Sequence, residues 1–147
     1  MKILYLVMAV LFLSVQAEAQ SVRNKDIPDK VKQSMESMYP QASKVQWEMH
    51  DGMYEASFMV NDKKTSVVFS NQGQFSESET EIAMDELPEL AQYYVTYHLS
   101  SETIEEIEME TDAHGVVTYE VETDGGEYLF SAEGKLLSKE MEDGDDE

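Results

Sequence analysis

The chain has 147 residues, with 31 Asp and Glu against 10 Lys and Arg, three His, no Cys and a formal charge of −21 at pH 7. The missing cysteines exclude a disulfide framework, a thiolate zinc site, a Cys nucleophile and the acylated Cys of a lipoprotein. So negative a charge excludes nucleic acid and anionic membrane surfaces as partners, since both are held by clustered Lys and Arg.

Met1-Lys2 gives a short positive start, residues 3–15 are apolar apart from Ser14, and Ala17-Glu18-Ala19 forms an A-x-A cleavage site. This layout predicts a secretory signal peptide over residues 1–19. The apolar run is too short to be a retained membrane span, which needs about 20 residues. The mature chain is therefore expected to begin at Gln20, to reside in the periplasm or outside the cell, and to have no membrane partner after cleavage.

Residues 20–83 read as one unit. Ile27, Val31, Met35 and Met38 recur at helical spacing, Pro28 suits a first turn, and Pro40 bars continuation past Tyr39. The period then changes to two. Val45, Trp47 and Met49 alternate with polar residues, followed after His50-Asp51-Gly52 by Tyr54, Ala56, Phe58 and Val60. After Asn61-Asp62-Lys63 come Thr65, Val67 and Phe69, and Asn71-Gln72-Gly73 leads to a fourth strand over residues 74–82. Alternation bounded by Asn, Asp and Gly turns is the pattern of half-buried antiparallel strands.

Residues 84–141 repeat that order. Ile27-Pro28-Asp29-Lys30-Val31 returns as Leu87-Pro88-Glu89-Leu90-Ala91, and Trp47-Glu48-Met49 as Ile107-Glu108-Met109. Tyr54-Glu55-Ala56 returns as Tyr119-Glu120-Val121, and Val68-Phe69-Ser70 with Gly73 as Leu129-Phe130-Ser131 with Gly134, leaving a short insertion near residues 112–116. Asp85 is the expected helix N-cap, and Leu87, Ala91, Val95 and His98 form the helix stripe, with His98 a partly buried core residue. The predicted fold is α+β: two tandem helix-plus-four-strand repeats forming an antiparallel sheet with the helices packed on one face. Residues 142–147 hold five acids and are expected to be a disordered tail. The tail lacks the rest of an EF-hand and is compatible with only weak association with divalent cations.

The two Ile/Leu-Pro openings, Met38-Tyr39-Pro40-Gln41-Ala42 at the helix end, Trp47, Tyr54-Glu55-Ala56 and the Phe-then-Gly hairpins resemble the PepSY-like family of exported bacterial proteins. That family is similar in fold to β-lactamase-inhibitor proteins. The second unit departs from the pattern, with Leu99-Ser100 in place of Tyr-Pro and Ile107 in place of Trp. The resemblance implies a sheet whose helix-free face clasps another protein, and it carries over no catalytic residue and no particular target.

The charge is lopsided, net −3 over residues 20–83 and −18 over residues 84–147. On the face opposite Ile107, Tyr119 and Phe130 stand Glu106, Glu108, Glu110, Glu120, Glu122 and Glu127. Like charges facing one another across strands destabilise a sheet, and cations or a basic partner would relieve them. A solvated surface that keeps an exported protein soluble is the plainer reading of the same residues. The outer face of the first unit (Lys44, Gln46, Glu48, His50, Met53, Ser57, Met59) is mixed, and Met53 and Met59 are adaptable contact residues.

No nucleophile elbow, zincin, P-loop or dinucleotide motif is present, so no catalytic residue and no cofactor is expected. His50 and His114 fall in matching turns, but no third ligand repeats beside them, so no metal site is expected. Trp47, Tyr54, Tyr119 and Phe130 fall at core phase and read as packing. The resulting expectation is a non-catalytic exported protein that binds a protein or peptide, a basic one at the acidic face, through the exposed sheet. The alternative is an acidic Ca²⁺-binding protein of the periplasm.

Overall fold

Each helix begins where a proline fixes an extended entry. In the computed structural model, which describes residues 20–141, Pro28 and Pro88 are the N-caps of α1 (Asp29–Met38) and α2 (Glu89–His98), each with φ −56°. The Pro28 carbonyl accepts the Val31 and Lys32 amides at 3.0 and 3.1 Å. A 3-10 turn precedes each helix, Asn24–Asp26 and Met84–Glu86. Asp85 lies inside the second of these and does not cap α2. Glu86 instead uses Oε2 to accept the Ala83 amide at 2.9 Å. The predicted signal peptide and acidic tail lie outside the described residues.

The helix stripes run more strictly at i, i+4 than the sequence suggested. Ile27 and Leu87 sit just before the helices, yet both are buried and open the stripes of Val31 and Met35, and of Ala91 and Val95. The next step of four lands on Tyr39 and Leu99, the C-cap residues, and not on Met38 and His98. Leu99 is 4% exposed while His98 is exposed, so His98 is no core residue. Met38 is 44% exposed, and Tyr39 packs its ring 4.7 Å from that of Phe58.

Among the described residues nine strands pair antiparallel in chain order: β1 (Gln20–Ser21), β2 (Ser43–His50), β3 (Met53–Val60), β4 (Lys63–Ser70), β5 (Phe75–Glu81), β6 (Ile104–Asp112), β7 (Val117–Thr123), β8 (Gly126–Ser131) and β9 (Leu136–Met141). The β5–β6 pairing, Glu77 opposite Asp112 through Glu81 opposite Glu108, joins the strands following the two helices into one continuous sheet. Two-residue turns set the register of the first hairpins. His50 pairs with Met53 around Asp51-Gly52, and Val60 with Lys63 around Asn61-Asp62. All four turn residues have positive φ, which two-residue hairpins favour because it follows the strand twist.

Paired residues of an antiparallel sheet share a face, so the row Phe58, Thr65, Thr80, Met109, Tyr119, Phe130 traces one side from β3 to β8. On this side Val31 and Met35 of α1 cluster with Trp47, Ala56, Phe58, Val67 and Phe69. Ala91 and Val95 of α2 cluster with Ile107, Val121, Tyr128 and Phe130. Val45 is an exception to the predicted phase. A bulge between Ser43 and Gln46, with Lys44 at φ 56°, leaves it 38% exposed, and the bulge between Ile104 and Glu106 leaves Ile104 39% exposed.

Beyond the core, Glu102 ties the loop after α2 to the sheet. Its carboxylate accepts the Tyr128 hydroxyl at 2.8 Å and the Thr123 hydroxyl at 2.6 Å. Burial, with the Glu102 carboxylate second, pushes the Tyr128 hydroxyl up to about 12.

Two turn glycines let the helices approach the sheet. A Cβ on Gly73 (φ 78°) would lie 2.5 Å from the Lys30 carbonyl oxygen, and one on Gly134 (φ 83°) 2.7 Å from the Ala91 nitrogen. Gly73→Ala and Gly134→Ala are each expected to lower the unfolding free energy by about 2 kcal/mol, measured by urea titration. Gly52→Ala, at φ 79° with nothing within 4 Å of the added carbon, should cost about 1 kcal/mol.

Candidate functional site

The side of the sheet opposite the helices collects carboxylates because β5, β6 and β7 alternate acid with small or apolar residues. Pairing then sets acid against acid: Glu108 between Glu81 and Glu120, Glu110 opposite Glu79, Asp112 opposite Glu77, and Glu106 opposite Glu122, which in turn faces Glu127. Side chains paired in this way have Cβ atoms about 5 Å apart. The nearby base is Lys64, whose Nζ lies 3.6 Å from Glu106 Oε1.

These carboxyls do not all behave as surface acids. Burial first, and then the neighbouring Glu110 and Glu77, pushes Glu79 up to about 7. Burial followed by Glu79 and Glu106 does the same to Glu108, also to about 7. Glu120 is pushed to about 8 by burial and then by Glu110 and Glu127. Burial is also the main cause that raises Glu55 and Glu77. Hydroxyls provide some relief: Thr118 donates to Glu110 at 3.0 Å and Ser66 to Glu79 at 3.4 Å. At neutral pH the face therefore holds protons that a bound cation would displace.

Glu106, Glu108, Glu110, Glu120 and Glu122 come together as neighbours, and Glu127, more exposed, carries the row on into β8 between Glu122 and Glu140. Met53 and Met59 share this face but stand at opposite ends of β3, about 20 Å apart at strand rise. They do not form one contact patch. Met59 pairs with Lys64 beside the acidic array, whereas Met53 lies beyond it, opposite Ser70.

Sequence reasoning missed Glu77 and Glu79 of β5 as parts of the array. The signal was the Ser-Glu alternation of residues 76–81, which fixes a face once β5 is paired on both sides. It also misplaced His50. The residue is the last of β2, not part of the turn, and its Nε2 lies 3.5 Å from an oxygen of Glu48 and 3.5 Å from one of Glu55. Glu48 stands two residues before it on the same strand, and Glu55 arrives from across the hairpin. His114 remains in the β6–β7 turn, where its amide donates to Asp112 Oδ1 at 2.8 Å.

Two open clefts lie beside α1, one lined by Met35, Tyr39 and Val45 and the other by Lys30, Ser34 and Gln72. Neither includes a residue of the acidic array. Among the described residues no helix is long and apolar enough to cross a membrane.

A family model described as beta-lactamase-inhibitor-like, PepSY-like matches residues 13–58 and 52–138. Solved structures share the fold. A DUF2874 family protein from Bacteroides uniformis superposes with a TM-score of 0.70 at 24% identity, covering 78% of this chain and 88% of its own. A BLIP-like protein from Bacteroides fragilis gives 0.69 at 20% identity, covering 82% and 91%. A protein from Bacteroides eggerthii, provisionally assigned to the periplasm, gives 0.70 at 20% identity, covering 78% and 88%. No curated protein matches the chain.

Proposed function

The chain belongs to the PepSY-like, beta-lactamase-inhibitor-like family, and on that premise we propose that it is an exported, non-catalytic protein that binds a basic protein or peptide on its acidic sheet face. The observation that carries this reading is the array of Glu79, Glu108 and Glu120 gathered around Glu110, in which those three carboxyls are buried and crowded enough to retain protons near neutral pH. Lys or Arg side chains laid across it would replace those protons with ion pairs. Such partial desolvation strengthens each contact over one made in open water. The signal-like first nineteen residues and the periplasmic assignment of a structural relative support a location outside the cytoplasm.

The repeated order of 3-10 turn, helix and four strands supports two tandem repeats, residues 20–83 and 84–141, with both helices on one face of the sheet. Charge has then been concentrated in the second copy, which leaves the first to supply the smaller, mixed part of the face.

A fluorescently labelled Lys/Arg-rich peptide tests the reading by anisotropy at increasing salt. Binding should tighten from pH 6 to pH 8.5 as the array gives up its protons, weaken with salt, and fall about tenfold or more in a Glu108→Gln/Glu120→Gln double variant. Equal binding by that variant sinks the proposal. Saturable Ca²⁺ binding with a clear rise in melting temperature, and no peptide binding, would assign the face to divalent cations instead.

A further inference from the structure

The β2–β3 hairpin presents a second kind of chemistry at the edge of the acidic array, whose Glu77 and Glu79 feel the charge of its Glu55. Glu48 and His50 are two residues apart on β2 and so share a face, and Glu55 of β3 is the cross-strand partner of Glu48. His50 Nε2 is 3.5 Å from each of the two carboxylate oxygens, and one ligand atom from each of the three residues lies within 4.8 Å of the others. Two donors about 2.1 Å from a tetrahedral zinc ion are about 3.4 Å apart, so both imidazole–carboxylate spacings match an edge of that polyhedron.

We propose that Glu48, His50 and Glu55 form a binding site for a divalent transition-metal ion of the Zn²⁺ class. The imidazole sets this class apart from Ca²⁺ and Mg²⁺, which take oxygen ligands. The hairpin prearranges the three donors, because the Asp51-Gly52 turn fixes the register in which Glu48 meets Glu55. Their side chains are between 30% and 49% exposed, so an ion can enter from solvent and keep its fourth position for water or for a donor from a partner. The rival account of this geometry is a plain ion pair between a protonated imidazole and two carboxylates.

The two accounts separate when Zn²⁺ is titrated calorimetrically into the purified full chain at pH 7.5 while the imidazole nitrogens are followed by NMR. The site predicts one saturable ion that shifts the Nε2 resonance of His50 and leaves His98 and His114 unchanged. Loss of an outer-shell partner alone weakens metal binding about 10–100-fold, so His50→Ala should weaken it at least about tenfold. His50→Gln should do the same if the alanine variant folds poorly, and His114→Ala should bind as the parent does. Absence of saturable binding overturns the proposal. So does binding that survives both His50 variants, or that is lost in Glu108→Gln/Glu120→Gln but retained in His50→Ala.

Discussion

Replacing Phe130 by Ala is expected to lower the free energy of unfolding by about 3–5 kcal/mol. Phe130 is 0% exposed, pairs with Tyr119 of β7, and meets the ring of Tyr94 on α2 edge-on at 5.5 Å. Its removal empties the space between α2 and the sheet. The flanking strands are held in register by their own ladders, so they cannot collapse into the gap. Urea unfolding of the purified variant measures the loss. Phe69→Ala, at the corresponding place beneath α1 and also 0% exposed, should cost a similar amount. A loss below about 1 kcal/mol in either variant would mean that these rings do not anchor the helices.

The second large effect is a loss of stability as the pH rises, the reverse of what an acidic protein with well-solvated carboxylates shows. Glu79, Glu108 and Glu120 hold their protons to about 7, 7 and 8 in the folded chain, while the ordinary value is 4.5. Between these limits the folded chain binds more protons than the unfolded one, so the unfolding free energy falls as pH increases. The stability tied to these groups is complete below about pH 4.5 and is lost through pH 7–8. Each tenfold difference in proton affinity between the folded and unfolded chain corresponds to about 1.4 kcal/mol. The three side chains remain partly in water, which brings the expected total between pH 5 and pH 9 down to about 2–4 kcal/mol. Glu86, Asp112 and Glu133 have lowered values at exposed positions and act at more acid pH, outside this window. Scanning calorimetry should record a melting temperature roughly 10 °C lower at pH 9 than at pH 5. Glu120→Gln should flatten the slope, and added salt should restore part of the loss.

Strand phase was legible in the sequence because a period of two leaves only two choices of face. Trp47, Ala56, Val67 and Phe130 settle that choice by being apolar where their neighbours are not. The helix ends were less legible. Met38 and His98 satisfied a helical spacing, yet each helix stops there and the chain turns, so Tyr39 and Leu99 reach the core instead. Val45 escaped because a bulge adds a residue that alternation does not show.

For the acidic face, Glu106, Glu108, Glu110, Glu120 and Glu122 could be assigned from the alternation within β6 and β7 alone. Their true neighbours Glu79 and Glu77 depend on the β5–β6 pairing between the halves, a long-range choice that no local pattern encodes. Glu48, His50 and Glu55 illustrate the same limit at shorter range. Glu48 and His50 share a face of β2 by alternation alone, but Glu55 joins them only when the Asp51-Gly52 turn sets β2 against β3.

Carboxyl-carbon NMR titration tests most directly whether the outer face is a close-set acid array. Glu79 and Glu108 should show midpoints near 7 and Glu120 near 8, each moving toward ordinary values when a neighbouring Glu is changed to Gln. Midpoints near 4.5 for all three would mean that these side chains stand apart in water, and that the face carries charge without assembling it.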